Sequence, residues 1–121
     1  MTTRPGVRGT IPDEVKREVE AIVRRFSEEY FTRDDCYYIA RYRARHCYLD
    51  RSDNGRMRPI CRLTYTGTMD GWEFVLYKWT SGIYSPEFRK FAGVDLLDGT
   101  IETAMRVGME AYPTEQTHPR A

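Results

Sequence analysis

Arginine dominates the chemistry of this sequence between positions 41 and 62. Seven arginines and two aspartates lie there, a formal +5, although the whole chain carries only +1. A guanidinium is planar, always charged and fork-shaped, so a cluster of them suits phosphate or carboxylate groups. Aromatic side chains on the same surface would stack on bases or on the guanidinium planes. Together these features describe a nucleic-acid or other polyanion surface. Two blander readings use the same residues. Arginine stems can lie over aromatic rings on a solvated sheet face, or a protein partner or second copy can cover that face. The abundance of arginine, 16 against 3 lysines, is also what a GC-rich genome produces.

Other reactive side chains are scattered. His46 adjoins Cys47, but neighbours on a strand face opposite ways, which argues against a shared metal or a Cys–His nucleophile pair. Cys36, Cys47 and Cys61 are 11 and 14 residues apart with no C-x-x-C, so neither a disulfide framework nor a zinc module is expected. Asp34 and Asp35 read as a helix stop, and Asp98 as support for a helix start. With Asp95, Asp98 belongs to the loop acids that an enzyme could use for acid–base work, though no spacing demands it. Tyr77, Trp79, Tyr84, Phe88 and Phe91 are candidates for a small-molecule groove. Gly67, Gly71, Gly82, Gly93 and Gly99 are turn glycines, not a phosphate-cradling run. No catalytic residue, metal ligand or cofactor is assigned.

These residues need elements to hold them. Thr10-Ile-Pro-Asp13 reads as a helix start with a capping hydroxyl. Val15, Val19, Ile22, Val23, Phe26 and Tyr30 then recur at helical spacing, predicting a helix over 12–32. Residues 37–48 read as one strand, Asp50–Gly55 as a turn, residues 60–66 as a second strand and residues 72–79 as a third. Asp70-Gly71 reads as a two-residue hairpin tip. Ile83-Tyr84 is a short fourth strand. Thr100 is the expected cap of a second helix that Pro113 ends. The predicted fold is α+β, in the order α-β-β-β-(β)-α: an antiparallel meander with both helices on one face. Residues 10–113 form the domain, residues 1–9 a flexible arm and residues 114–121 a tail in which His118 is inert.

Hairpin pairing assigns the faces. A tip at Asp70-Gly71 pairs Tyr65 with Leu76 and Arg62 with Trp79. Cys61, Leu63, Tyr65, Trp72, Phe74 and Leu76 then form a core face. Burying Arg41, Arg43 and Arg45 beside Leu63 would be prohibitive, so they go outward with Arg62, Thr64, Val75, Tyr77 and Trp79. The candidate site is therefore Arg41, Arg43, Arg45, Arg62, Tyr77 and Trp79. The same parity puts Cys47 outward and Cys61 inward, so no disulfide is expected between them.

Three stretches carry a resemblance: Pro59-Ile-Cys-Arg-Leu-Thr-Tyr-Thr-Gly67, Trp72-Glu-Phe-Val-Leu-Tyr-Lys78, and Asp98-Gly-Thr-Ile-Glu-Thr-Ala-Met105 continuing to Gly108-Met-Glu-Ala-Tyr-Pro113. Arg45-His-Cys-Tyr-Leu-Asp-Arg51 joins them. This combination resembles a family of small bacterial proteins of unknown function, and segment 86–98 departs from its pattern. The resemblance implies a compact bacterial cytosolic domain and supplies no activity. The element order also matches double-stranded-RNA-binding domains, but residues 100–106 lack the basic cluster that would grip phosphates.

The sequence thus predicts a cytoplasmic domain with no membrane segment. The leading expectation is a non-enzymatic binding module with nucleic acid as its ligand. The alternatives are a protein-interaction or self-associating domain, and a small-molecule binder or enzyme using the aromatic groove and loop acids.

Overall fold

A computed structural model describes residues 9–114. The expected arm and tail, and His118, lie outside them apart from Gly9 and Thr114. Helix α1 runs from Asp13 to Tyr30 and buries Val15, Val19, Val23 and Phe26, one stripe of a 3.6-residue period. Its N-cap is Pro12, which makes no side-chain cap bond. Thr10 is exposed, so the expected capping hydroxyl is corrected. Asp13 and Glu14 instead face the positive end of the helix dipole. Helix α2 runs from Ile101 to Ala111 with Thr100 as its cap, as expected. Thr100 Oγ1 accepts from Thr103 N at 3.3 Å. Asp98 Oδ1 accepts from Thr100 N at 3.1 Å and from the Thr100 and Thr103 hydroxyls at 2.7 and 2.8 Å. Those bonds hold the Asp98 carboxyl below its usual range.

In the chain between the two helices comes an antiparallel sheet of five strands in sequence order: β1 (Tyr37–Arg43), β2 (His46–Asp53), β3 (Arg56–Thr64), β4 (Glu73–Lys78) and β5 (Ile83–Tyr84). The single strand expected over 37–48 is in fact a hairpin. Ala44 takes a φ of 54°, Arg43 pairs with His46 and Tyr42 with Cys47. An unbroken strand would turn Cys47 and Leu49 to solvent. The hairpin inverts the parity and buries both completely. Cys47 therefore shares the inner face with Cys61, which corrects its expected outward position. Both remain free thiols, and burial pushes Cys47 up to about 12.

Asn54 and Gly55 form the next tip with φ of 59° and 88°, the positive-φ pair that a two-residue hairpin favours. β2 therefore extends to Asp53, through most of the expected turn. β3 contains Pro59, which cannot donate to the ladder. A register shift beside it lets consecutive Ile60 and Cys61 both bury fully.

Asp70-Gly71 is not a hairpin tip. Thr64 pairs with Glu73, Leu63 with Phe74 and Arg62 with Val75, a register displaced by an even number of residues. The displacement preserves which residues face the core but removes Trp79 from Arg62. The longer connection exists because Tyr65 and Trp72 bury their rings against each other at 5.0 Å. Trp72 N then donates to Gly99 O at 2.9 Å rather than to a neighbouring strand.

Both helices pack on the inner face. Tyr38 ties them together: its ring meets Phe26 at 5.7 Å, and its hydroxyl donates to Met105 O of α2 at 2.8 Å. Along the outer edge of β1, Tyr38 N donates to Ser27 Oγ of α1 at 3.0 Å, which blunts that edge. Segment 85–97 folds back with Phe91 against Phe74 at 5.7 Å. Among the described residues no helix covers the opposite sheet face.

Candidate functional site

Antiparallel pairing brings residues into rows across the open face. One row is Arg41, Tyr48, Arg62 and Val75. The next is Arg43, His46, Thr64 and Glu73. Tyr77 pairs with Tyr84 beside the first row. Of the six residues predicted for the site, Arg41, Arg43, Arg62 and Tyr77 share this face, and Arg45 stands at the adjoining hairpin tip.

The face is a lattice of rings and guanidinium groups. Arg41 lies 5.0 Å from the Tyr48 ring centroid and Arg62 lies 5.7 Å from that of Tyr84. Tyr84 meets Tyr48 edge-on at 5.4 Å and Tyr77 at 4.7 Å. His46 meets Tyr48 at 6.1 Å, and its Nδ1 lies 3.0 Å from Thr64 Oγ1. Burial holds His46 below its ordinary value, with help from the charges of Arg62 and Arg45. Burial raises Tyr84.

The arginines are not equivalent. Arg41 binds Asp50 with two bonds, Nε to Oδ2 at 2.6 Å and Nη2 to Oδ1 at 3.2 Å. Asp50 was not anticipated as a member of this face. It cancels one of the expected positive charges and separates Arg41 from its neighbours. The side chains of Arg43 and Arg62 make no hydrogen bond or ion pair among the described residues, and Arg62 Nε is buried without a partner there.

Trp79 is the correction to the predicted site. It stacks flat on Tyr112 at 3.8 Å and 6°, its Nε1 donates to Pro59 O at 2.7 Å, and the Arg58 guanidinium lies 4.7 Å from its ring. Tyr112 Oη bridges back, accepting from Trp79 N at 3.1 Å and donating to Tyr77 O at 2.8 Å. With Tyr112 and Arg58 against it, Trp79 is a clamp between the sheet and the end of α2.

Arg51 leaves the surface count altogether. It is fully buried and donates to Gly108 O at 3.0 Å and Tyr112 O at 2.6 Å, at the end of α2. Its Nε donates to Asp53 Oδ1 at 2.7 Å. Burial opposes its charge, but the bond to Asp53 and nearby Tyr38 together outweigh that. The signal available in the sequence was alternation: within one strand, Cys47, Leu49 and Arg51 share a side.

The proposed aromatic groove divides. Tyr77 and Trp79 line a recess of about 320 Å³ with Met57 and Gly82, whereas Phe88 and Phe91 line another of about 240 Å³ with Leu76 and Tyr112. Asp98 is engaged in the helix cap and Asp95 is exposed. His46 and Cys47 point to opposite faces, as expected. No helix among the described residues is long and apolar enough to cross a membrane. Comparison with protein-family models, with curated proteins and with solved structures finds no match to the chain.

Proposed function

We propose that this protein is a non-enzymatic binding module whose open sheet face takes single-stranded nucleic acid. One observation carries the reading: guanidinium groups and tyrosine rings interleave on the one face from which both helices are absent. Unpaired Arg43 and Arg62 supply phosphate contacts, and the Tyr48, Tyr77 and Tyr84 cluster with its overlying guanidiniums supplies stacking surface. A duplex suits the molecule less well. The first turn of α2 carries Glu102 and no basic residue, so that helix offers no grip on a second groove. The resemblance to small bacterial proteins is compatible with this reading and adds no ligand.

The test is a fluorescence-polarisation titration with labelled single- and double-stranded DNA and RNA at two salt concentrations, using wild type and an Arg43→Glu/Arg62→Gln variant. Single strands should bind, weaken as salt rises, and bind the folded variant at least about tenfold less tightly. Absence of binding at low salt sinks the reading and makes a protein partner or a second copy the better account of the face.

A further inference from the structure

Positive charge on the open face is unevenly balanced. Arg41 has Asp50, but at the other end of the face the side chains of Arg62 and Arg43 lie near His46 with no ion pair among the described residues. Arg43 faces His46 from β1 and Arg45 adjoins it at the hairpin tip. Arg62 approaches from β3, and both Arg45 and Arg62 act electrostatically on the imidazole. The acid nearest in register is Glu73 of β4, opposite Thr64, and it makes no ion pair among the described residues. Tyr48 is the remaining titratable neighbour, its ring 6.1 Å away.

The local geometry is also committed. Thr64 Oγ1, 3.0 Å from Nδ1, occupies one nitrogen of the ring, which leaves Nε2 for another partner. Arg62 Nε is walled in without a hydrogen bond, so the terminal Nη groups are the donors left to reach a ligand. We propose that the Arg62–His46–Arg45 corner is a phosphate subsite, in which one phosphate group accepts hydrogen bonds from Arg62 and from His46 Nε2, and that its binding takes up a proton at His46. A tetrahedral oxyanion fits because the donors, a planar fork and a ring, come from different strands, and its oxygens point out of any one plane. Burial first, then the charges of Arg62 and Arg45, disfavour the proton on His46, and phosphate placed there would offset the arginine charges. The inference rests on the nucleic-acid reading for the source of the phosphate, while the subsite itself is testable with inorganic phosphate.

The experiment follows the imidazole resonances by NMR through a pH titration. The chain has two histidines, His46 and His118, and His46→Gln assigns them. Saturating inorganic phosphate should raise the His46 midpoint by about one pH unit and leave His118 unchanged. Arg62→Gln should abolish the rise, with folding checked by circular dichroism, and Arg45→Gln serves if Arg62→Gln does not fold. A labelled oligothymidylate should bind about tenfold tighter near pH 5.5 than near pH 7.5, a difference that His46→Gln removes. A midpoint indifferent to both probes overturns the subsite, as does a rise that persists in Arg62→Gln. Oligothymidylate binding with no pH dependence and no shift overturns the subsite and leaves the face reading intact. A phosphate-induced shift without oligonucleotide binding supports the subsite and overturns the nucleic-acid reading.

Discussion

Replacing Arg51 by methionine keeps much of the side-chain stem and removes the guanidinium. The structure sets the scale of the loss. Arg51 is wholly inaccessible and its partner Asp53 is 13% exposed, so the carboxylate is left in a poorly solvated site. The nearest remaining cation is Arg58, whose Nε stands 4.0 Å from Asp53 Oδ2. Gly108 O keeps the N–H of Tyr112 at 3.0 Å, whereas Tyr112 O loses its bond to Arg51 Nη2. Breaking a buried ion pair from one side costs about 3–5 kcal/mol. An orphaned carbonyl costs about 1–3 kcal/mol. The same guanidinium serves both, so these penalties overlap, and the expected loss is about 3–5 kcal/mol in total. That is a large fraction of the roughly 5–15 kcal/mol of a typical domain. Urea denaturation of wild type, Arg51→Met, Asp53→Asn and the double variant measures it. The double variant should lose less than the two single losses added, because the stranded charge is gone. A loss below about 1 kcal/mol for Arg51→Met would refute the structural role and return Arg51 to the surface charge.

Gly108 sits in α2 where a methyl group would meet Tyr38 Oη and lie 2.7 Å from Ile60 Cγ2. Gly→Ala inside a helix gains about 1 kcal/mol from propensity, but overpacking a core costs about 1–3 kcal/mol. Tyr38 is buried and hydrogen-bonded and cannot retreat, so Gly108→Ala should lower the melting temperature; a rise would show that α2 is free to shift. Stability should also fall with acid in two windows. His46 is held below its ordinary value by burial, Arg62 and Arg45, so its contribution is present above about pH 6.5 and is lost as pH falls through the lowered folded value. The Asp35 and Asp98 carboxyls are lowered by hydrogen bonds, from Arg33 and from Thr100 and Thr103. Their contributions persist above about pH 3.9 and disappear at lower pH. Denaturation midpoints across this range, repeated in His46→Gln, should lose the first window and keep the second; an unchanged profile in the variant refutes the assignment.

The sequence exposes the α+β order because its strongest signals are local. The α1 stripe from Val15 to Phe26, the Thr100 cap and the β-rich centre depend on neighbours a few residues away. The hairpin at Ala44–Arg45 was hidden because alanine and arginine are ordinary strand residues and nothing in Arg43-Ala-Arg-His46 marks a turn. Its cause is distant: burial of Cys47 and Leu49 against β3. Asp70-Gly71 misled for the opposite reason, a strong local turn signal overridden by two buried rings, Tyr65 and Trp72. The outward direction of Arg41, Arg43 and Arg62 was legible because the registry error was even and charge burial is so costly. Trp79 was not, because its position depends on Tyr112 from the far end of the chain. Nor was the pairing of Arg41 with Asp50, which needs the hairpin that the sequence conceals.

The central claim is that the open sheet face, and not the helical side, receives the strand. The direct test is amide and side-chain NMR shift mapping of the whole chain with an unlabelled single-stranded oligonucleotide. Shifts should concentrate at Arg41, Arg43, His46, Tyr48, Arg62, Tyr77 and Tyr84, with α1 and α2 unmoved. Shifts centred on the helices, or none at an oligonucleotide concentration that saturates polarisation, would contradict the account.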